Sequence, residues 1–188
     1  LSRLVDNILL TQKIDIEALS LENTPVDLAD LLSESLEENR MFASERGVRL
    51  MEAGIAGPAV IMGDAFAIRQ IIDNLISNAI KFSNQNGLVE GALEIHENRV
   101  RLSIKDSGGG IPDGMEDKVF GRFEQVENSA QGSTQGSGLG LHISKQLARQ
   151  LSGDIFYNSR LGIGTTFYIE FGLADVACQP MIETAYCA

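Results

Sequence analysis

The sequence has little of what nucleic-acid-binding, membrane-spanning, disulfide-bonded or zinc-binding proteins require. Lysine and arginine total 15 against 26 acidic residues, and this net charge of -11 disfavours nucleic acid, which selects basic surfaces. No apolar run approaches the roughly 20 residues of a membrane span, and no signal peptide is recognisable. Cys178 and Cys187 both lie near the end, and His96 and His142 have no further ligand at zinc spacing. We therefore expect no nucleic-acid partner, no membrane contact by this chain, no disulfide and no zinc.

The composition is that of a folded domain. The 188 residues are 44% hydrophobic and 22% charged, enough for one compact domain with an additional element. The sequence begins at Leu1 rather than at methionine, so we expect a fragment of a longer protein. We expect this piece in the reducing cytoplasm, while the full-length protein has room for a membrane anchor elsewhere.

The first 20 residues have an apolar stripe at helical spacing, formed by Leu1, Leu4, Val5, Ile8 and Leu9. Such a helix needs a partner, which is either the domain that follows or the missing mate of a helical bundle or coiled coil. Pro25 and its neighbours are expected to end it.

The rest of the chain alternates between helical and strand patterns. Helices are predicted over 27–46, 64–82 and 138–151, and short strands over 48–51, 59–62, 93–96, 100–105, 155–157 and 165–171. A polar stretch over 112–135 is too long for an ordinary connection and is typical of a lid or binding loop. Residues from about 173 onward are interpreted as a tail or linker.

Three polar side chains share one face of the helix over 64–82. Asn74, Asn78 and Lys81 stand at positions i, i+4 and i+7. The two amides offer oxygen atoms to a hard cation, and Lys81 offers its charge to a phosphate. Considered alone, the same pattern is explained by an ordinary solvated face.

Asp106 ends a strand in which Val100, Leu102 and Ile104 alternate with polar residues. The carboxylate is therefore expected to point inward, where it needs a hydrogen-bond donor such as the amino group of an adenine. The alternative is an aspartate that only starts the turn before the glycines at 108–110.

A second glycine-rich segment, 136–140, runs directly into a predicted helix. Free backbone N–H groups at a helix start favour anions, so this segment is a candidate phosphate cradle. It is not a P-loop, because no Gly-Lys-Ser/Thr follows. Between the two glycine segments, Phe120 and Phe123 are expected to anchor the polar stretch to the domain, while Arg122 reaches phosphate or merely solvent.

In this order, segments 74–82, 106–111, 119–123 and 136–141 resemble the N box, first glycine box, F box and second glycine box of bacterial sensor histidine kinases, which belong to the GHKL (Bergerat-fold) ATP-binding superfamily. Segment 162–167 resembles the final glycine box, and 1–21 resembles the end of the second dimerisation helix. The resemblance implies a two-layer α/β sandwich (Bergerat fold), a mixed sheet covered on one face by helices, with an N-terminal helix from a truncated dimerisation hairpin. It divides the chain into that helix (1–22), an ATP-binding catalytic domain (23–172) with a lid at about 111–137, and a tail (173–188).

The resemblance also implies a role for individual residues. Asn78 would coordinate Mg²⁺ with support from Asn74, and Lys81 would contact the phosphates. Asp106 would accept from the adenine amino group, partly through water and together with Thr165. The nucleotide-binding residues implied in this way are Asn74, Asn78, Lys81, Phe82, Asp106, Gly108, Gly110, Ile111, Phe120, Arg122, Phe123, Gly136, Ser137, Gly138, Leu139, Gly140, Leu141, His142 and Thr165.

The implied activity is transfer of the γ-phosphate of ATP to a histidine on a dimerisation helix, then to an aspartate on a response regulator receiver domain. The family works as a homodimer through those helices. Neither His96 nor His142 lies in a suitable helix, so we expect the acceptor to be missing from this fragment.

Three alternatives remain at this level. GHKL hydrolases place a glutamate, the general base that activates water, one turn before the N-box asparagine, where this chain has Asn74. A degenerate scaffold module would have lost nucleotide binding, yet the ligand-type positions are all present. A pure dimerisation fragment accounts only for the first helix.

Overall fold

The computed structural model describes residues 20–55, 57–124 and 138–174. The helices of these ranges are α1 (Leu28–Glu38), α2 (Arg40–Glu45), α3 (Ala65–Phe82), α4 (Glu116–Val119) and α5 (Gly140–Gln150). Their strands are β1 (Thr24–Asp27), β2 (Arg49–Ile55), β3 (Val60–Gly63), β4 (Leu88–His96), β5 (Arg99–Lys105), β6 (Asp154–Arg160) and β7 (Gly164–Gly172).

Five strands form one mixed sheet in the order β2-β4-β5-β7-β6. β2 runs parallel to β4, and the other neighbours are antiparallel. β1 and β3 form a separate antiparallel pair. The turn at Glu97 and Asn98 joins β4 to β5, as the sequence predicts.

Helices cover one face of this sheet. Along β5 and β7 buried residues alternate with more exposed ones, which is the pattern of a sheet with one face in the core and one in solvent. α1, α3 and α5 pack against the buried face, and α3 also packs against both α1 and α5. The predicted two-layer α/β sandwich with helices on one face is therefore confirmed.

Helix α3 lies at the centre of the core. Its N-cap is Asp64, whose carboxylate accepts from the backbone N–H of Ala67 at 2.9 Å. Each fully buried aliphatic side chain contributes about 1.5–3 kcal/mol, so the apolar stripe fixes which face of the helix points outward. The stripe is Ile68, Ile71, Ile72, Leu75, Ile76, Ala79 and Ile80.

The structure corrects several boundaries, and β2 and β4 are longer than the strands predicted over 48–51 and 93–96. Residues near Pro25 form strand β1 rather than a simple break, because a proline is tolerated in a strand that pairs on one side only. The helix predicted over 27–46 is two helices joined at Asn39, whose side-chain amide donates to the Ser35 carbonyl at 2.9 Å. The polar stretch after residue 111 contains the short helix α4.

Several sequence predictions lie outside the described residues. These are the helix over the first 19 residues, residues 125–137 of the proposed lid, and the last 14 residues of the chain. The domain boundaries therefore stay predictions. In the ranges that the structure describes, no helix is long and apolar enough to cross a membrane.

Candidate functional site

The polar face of α3 begins at Asn74, which is tied to the start of α5. Its side-chain Nδ2 donates to the Oγ of Ser144 at 2.9 Å. A Cβ atom on Gly140 would lie 2.4 Å from Oδ1 of Asn74, so only a glycine allows this approach. The N-box and second-glycine-box segments are thus brought into direct contact.

Asn78 lies one turn further along α3 and is half-buried. The side-chain amide of Asn78 makes no hydrogen bond to any residue that the structure describes. The position and the lack of a partner leave its oxygen available to a ligand. Lys81 and Phe82 follow at the end of the helix, where Phe82 is 41% exposed.

The backbone at the start of α5 leaves room for a ligand to come close to its N–H groups. Gly138 has φ +67°, a backbone conformation that favours glycine, and within the described residues no side chain caps the first turn of the helix. The amide groups of this turn, including those of Leu141 and His142, carry the positive end of the helix dipole. Gly136 and Ser137 lie outside the described residues.

Asp106 points inward, as the strand alternation predicts, and is only 6% exposed. Its Oδ1 accepts from the backbone N–H groups of Gly108 at 2.8 Å and Thr165 at 3.2 Å. Burial raises the pKa of this carboxyl group, and the two backbone hydrogen bonds partly counter that effect. Both bonds use the same oxygen, so Oδ2 is outside them and can accept from a ligand.

The glycines after Asp106 let backbone pack on backbone. A Cβ on Gly108 would lie 2.2 Å from the carbonyl oxygen of Phe82, at the end of α3. Gly110 has φ +72°, and its Cβ would lie 2.3 Å from the carbonyl oxygen of Arg160. The turn is therefore held between α3 and β6, and the end of α3 meets the first glycine box.

The sequence analysis named Thr165 beside Asp106 but missed its hydroxyl partner, Ser159. Ser159 and Thr165 stand opposite each other on β6 and β7, and their hydroxyl oxygens are 2.8 Å apart. Ser159 Oγ also accepts from the backbone N–H of Ile111 at 2.7 Å. The available signal was alternation, since Ser159 is a polar residue on the same strand face as Ile155 and Tyr157.

The F-box segment is anchored by one of its two aromatic residues. Phe120 is half-buried, with its ring centroid 6.0 Å from that of Tyr157 and 4.3 Å from Nζ of Lys145. Phe123 is 70% exposed, so the expectation that both rings anchor the segment is wrong. Its backbone takes over this function, because the N–H of Phe123 donates to the carbonyl of Gly138 at 3.0 Å.

Arg122 reaches His142 in this structure. The Nε of Arg122 donates to Nε2 of His142 at 3.0 Å, and Nδ1 of His142 is 3.0 Å from the carbonyl oxygen of Phe120. The sequence analysis excluded His142 as a zinc ligand and as the phosphate acceptor, and included it among the nucleotide-binding residues without a role for its side chain. The histidine side chain joins the F-box segment to the first turn of α5.

Together these residues border one region between α3, the Asp106 turn and the start of α5. It offers an acceptor for an exocyclic amine, an amide oxygen, and a glycine-lined helix start for anions. In the described ranges, no group of three or more His, Cys, Asp or Glu side chains is arranged to hold a metal ion. A hard cation therefore fits here only if a ligand supplies most of its oxygen atoms.

Comparison with protein families identifies one match. Residues 63–175 match the family model described as "Histidine kinase-, DNA gyrase B-, and HSP90-like ATPase". The matched range contains α3, both glycine segments and the F-box segment, so it contains the whole candidate site.

Similar proteins are histidine kinases. The chain is 36% identical over 172 residues to histidine protein kinase 1 of Candida albicans, covering 88% of this chain and 7% of that protein. It is 32% identical over 179 residues to the aerobic respiration control sensor protein ArcB of Escherichia coli, covering 94% and 23%. The crystal structure of full-length ShkA in complex with AMPPNP superposes with a TM-score of 0.80 at 30% identity, covering 92% of this chain and 36% of ShkA. The chain thus spans less than a quarter of the length of the two curated relatives.

Proposed function

The chain belongs to the family of histidine kinase-, DNA gyrase B- and HSP90-like ATPases, and from this membership we propose that it is the ATP-binding catalytic domain of a sensor histidine kinase. The observation that carries the proposal is the geometry of Asp106. A buried carboxylate with Oδ1 held by two backbone N–H groups presents its other oxygen in a fixed direction. That is the acceptor an adenine amino group requires.

The glycine contacts hold the Asp106 turn in place at this end of the site. Gly108 allows the turn to pack directly on the backbone carbonyl of Phe82, which fixes the position of the Asp106 carboxylate relative to the end of α3. Phe82 is partly exposed and would cover the adenine side, with Ile111 and Thr165 near the same turn. These residue roles are proposals that follow from the motif positions.

The other end of the site suits the phosphates. The first turn of α5 supplies backbone donors, and Lys81 supplies a positive charge. Asn78, whose amide has no partner among the described residues, is the residue that would hold Mg²⁺ together with phosphate oxygens. When bound, this ion neutralises charge on the transferring phosphoryl group.

The chemistry that we propose is phosphoryl transfer to a histidine. A nitrogen of the acceptor imidazole forms a bond to the γ-phosphorus while the bond to the β,γ-bridging oxygen breaks and ADP leaves with that electron pair. The imidazole proton passes to an acidic neighbour on the acceptor helix. His96 is exposed at the end of β4 and His142 is engaged by Phe120 and Arg122, so the acceptor is proposed on a dimerisation helix elsewhere in the homodimer. The phosphoryl group would then pass to a response regulator, in the cytoplasm where ATP is supplied.

Hydrolysis is the competing chemistry within this family. It needs a general base close to the γ-phosphate, and the position that provides it in hydrolases is Asn74 here. An amide does not take up a proton at neutral pH, and the Asn74 nitrogen is already committed to Ser144. We therefore propose transfer rather than hydrolysis.

Calorimetric titration of the chain with AMPPNP and Mg²⁺ tests nucleotide binding. We expect saturable, Mg²⁺-dependent binding that Asn78→Ala and Asp106→Asn each weaken at least tenfold. The asparagine at position 106 keeps an acceptor for Gly108 and Thr165 but can turn an N–H₂ group toward the adenine amine. Asn98→Ala is the matched control, because Asn98 is exposed in the β4–β5 turn.

Two results would overturn the proposal. The first is absence of binding and of nucleotide protection against thermal unfolding in well-folded protein, which favours a degenerate scaffold. The second is steady phosphate release from ATP by the chain alone, abolished by Asn78→Ala, which favours a hydrolase.

A further inference from the structure

The two hydrogen bonds of His142 define its protonation state. The carbonyl oxygen of Phe120 can only accept, so the Nδ1 that faces it at 3.0 Å carries a hydrogen. The guanidinium of Arg122 can only donate, so the Nε2 that faces it at 3.0 Å carries none. Both contacts are satisfied together only by a neutral imidazole in its Nδ1–H tautomer.

This arrangement closes a short bridge across the site. Phe120 and Arg122 belong to the segment after α4, and His142 belongs to the first turn of α5. The same two elements are also joined by the backbone bond from Phe123 to Gly138. The bridge thus holds the F-box segment at the end of α5 where the backbone donors are exposed.

Protonation of His142 is incompatible with this bridge. An imidazolium donates from both nitrogens, so its Nε2–H would face the donor N–H and the positive charge of Arg122. The surrounding cleft carries Lys145 and Arg149 from α5, Glu116 and Asp117 from α4, and Tyr157 from β6. Glu116 and Asp117 line the same cleft, but the group that faces Nε2 of His142 at 3.0 Å is the Arg122 guanidinium, so a protonated Nε2 would point its hydrogen at a second donor.

We propose that His142 is a positioning residue, whose neutral Nδ1–H tautomer clamps residues 120–122 onto the first turn of α5 and whose protonation releases them. The clamp is therefore closed while the ring is neutral and opens when the ring takes up a second proton. The clamp is independent of the proposed function, and only its effect on nucleotide affinity depends on that function.

The chain contains an internal control, because it has only two histidines. His96 places Nε2 3.1 Å from a carboxylate oxygen of Glu94, which can only accept, so Nε2 of His96 carries a hydrogen. The two histidines are thus expected to be opposite tautomers when neutral.

Nitrogen-15 NMR of the imidazole rings at pH 8 tests the first half of the proposal. We expect one ring protonated at Nδ1 and the other at Nε2, with the Nδ1–H signals absent from His142→Asn and retained in His96→Gln. A ring of His142 that carries its hydrogen on Nε2, or that averages between tautomers, would overturn the clamp. This measurement requires no nucleotide.

Hydrogen exchange at the Phe123 amide tests the release. We expect its protection factor to fall at least fivefold from pH 8 to pH 5.5 in the wild type. His142→Asn keeps an N–H donor toward Phe120 and does not titrate, so its protection factor should change less than twofold. Arg122→Gln keeps a donor without the charge and should also reduce the pH response. Equal pH responses in the wild type and His142→Asn would refute the release.

AMPPNP affinity at the two pH values tests the consequence. Protonation of Asp106 and of the nucleotide affects every variant. The informative quantity is therefore the fold-change in AMPPNP affinity between the two pH values in the wild type, divided by the same fold-change in His142→Asn. We expect this ratio to be three or more. A ratio of one with the expected tautomers would show that the clamp does not position the nucleotide site. Absence of binding at either pH would instead count against the proposed function, while the NMR result still decides the clamp.

Discussion

Asn74 and Ser144 are 70 residues apart in sequence, yet the amide nitrogen of one donates to the hydroxyl of the other at 2.9 Å. Ser144 is 2% exposed, so water does not replace this partner freely. The bond fixes the orientation of the Asn74 amide and turns its oxygen toward the α-carbon of Gly140. A single contact therefore links the N box, the second glycine box and the packing of α3 on α5.

A double-mutant cycle should measure this link. We expect Asn74→Ala and Ser144→Ala each to lower the free energy of unfolding by about 1 kcal/mol, with a coupling energy of about 1 kcal/mol. Urea denaturation followed by far-UV circular dichroism suits a chain without tryptophan. Ser33→Ala is the control, because Ser33 bonds to Glu52 at an exposed site and should change stability by less than about 0.5 kcal/mol. Additive losses would show that the contact carries no coupling.

The effect of an alanine at position 140 should depend on position 74. With Asn74 present, Gly140→Ala places a methyl group 2.4 Å from Oδ1 and should cost about 1–3 kcal/mol. In an Asn74→Ala background the same change should be neutral or stabilising, because alanine has a higher helix propensity by about 1 kcal/mol. Urea denaturation of the four variants measures both values.

Gly108 should differ from Gly140, whose substitution by alanine is rescued by Asn74→Ala. Its missing Cβ would meet the backbone carbonyl of Phe82 at 2.2 Å, which no side-chain truncation removes. Phe82→Ala should therefore fail to rescue Gly108→Ala. Rescue at position 108, or none at position 140, would contradict the contacts described here.

Substitution of Asn78 should lower nucleotide affinity without lowering the free energy of unfolding. Because its amide has no partner among the described residues, Asn78→Ala should change the free energy of unfolding by less than about 0.5 kcal/mol. AMPPNP affinity should nevertheless fall at least tenfold in the presence of Mg²⁺. Asn74→Ala should lower both quantities. Parallel denaturation and calorimetry on the two variants make the comparison, and a stability loss at Asn78 equal to that at Asn74 would argue for a structural role.

Asp106 should make stability depend on pH in a defined direction. Burial raises the pKa of its carboxyl group above 3.8, the ordinary value, so the folded state retains a proton that the unfolded chain releases. Wild-type stability relative to Asp106→Asn should therefore fall as pH rises from about 4 through the raised pKa, and then level off.

At neutral pH the Asp106→Asn variant should accordingly be more stable than the wild type while it binds AMPPNP poorly. Thermal unfolding between pH 4 and 8 measures the difference. A difference that stays constant with pH, or that favours the wild type increasingly as pH rises, would contradict this interpretation of the buried carboxylate.

Much of the architecture could be predicted from the pattern of residues close in sequence. The apolar stripe of α3, its aspartate N-cap, and the alternation that turns Asp106 inward were all predictable, because each depends on residues close in sequence. Boundaries were less predictable where pairing partners decided them. β1 forms because β3 lies beside it, although Pro25 by itself indicates a break.

The sequence by itself determined the class of the site, since its order of amide helix, carboxylate turn, aromatic segment and glycine-rich helix start is a one-dimensional property. Tertiary structure alone decided which side chains meet. The partners of Asn74, Ser159 and His142 are Ser144, Thr165 and Arg122, and each pair comes from two elements that the sheet and helices bring together. The same is true of Phe123, whose ring is exposed because its backbone, rather than its side chain, makes the contact with Gly138. Hydrogen bonds act over about 3 Å, so they depend on the final packing and not on the spacing of residues along the chain.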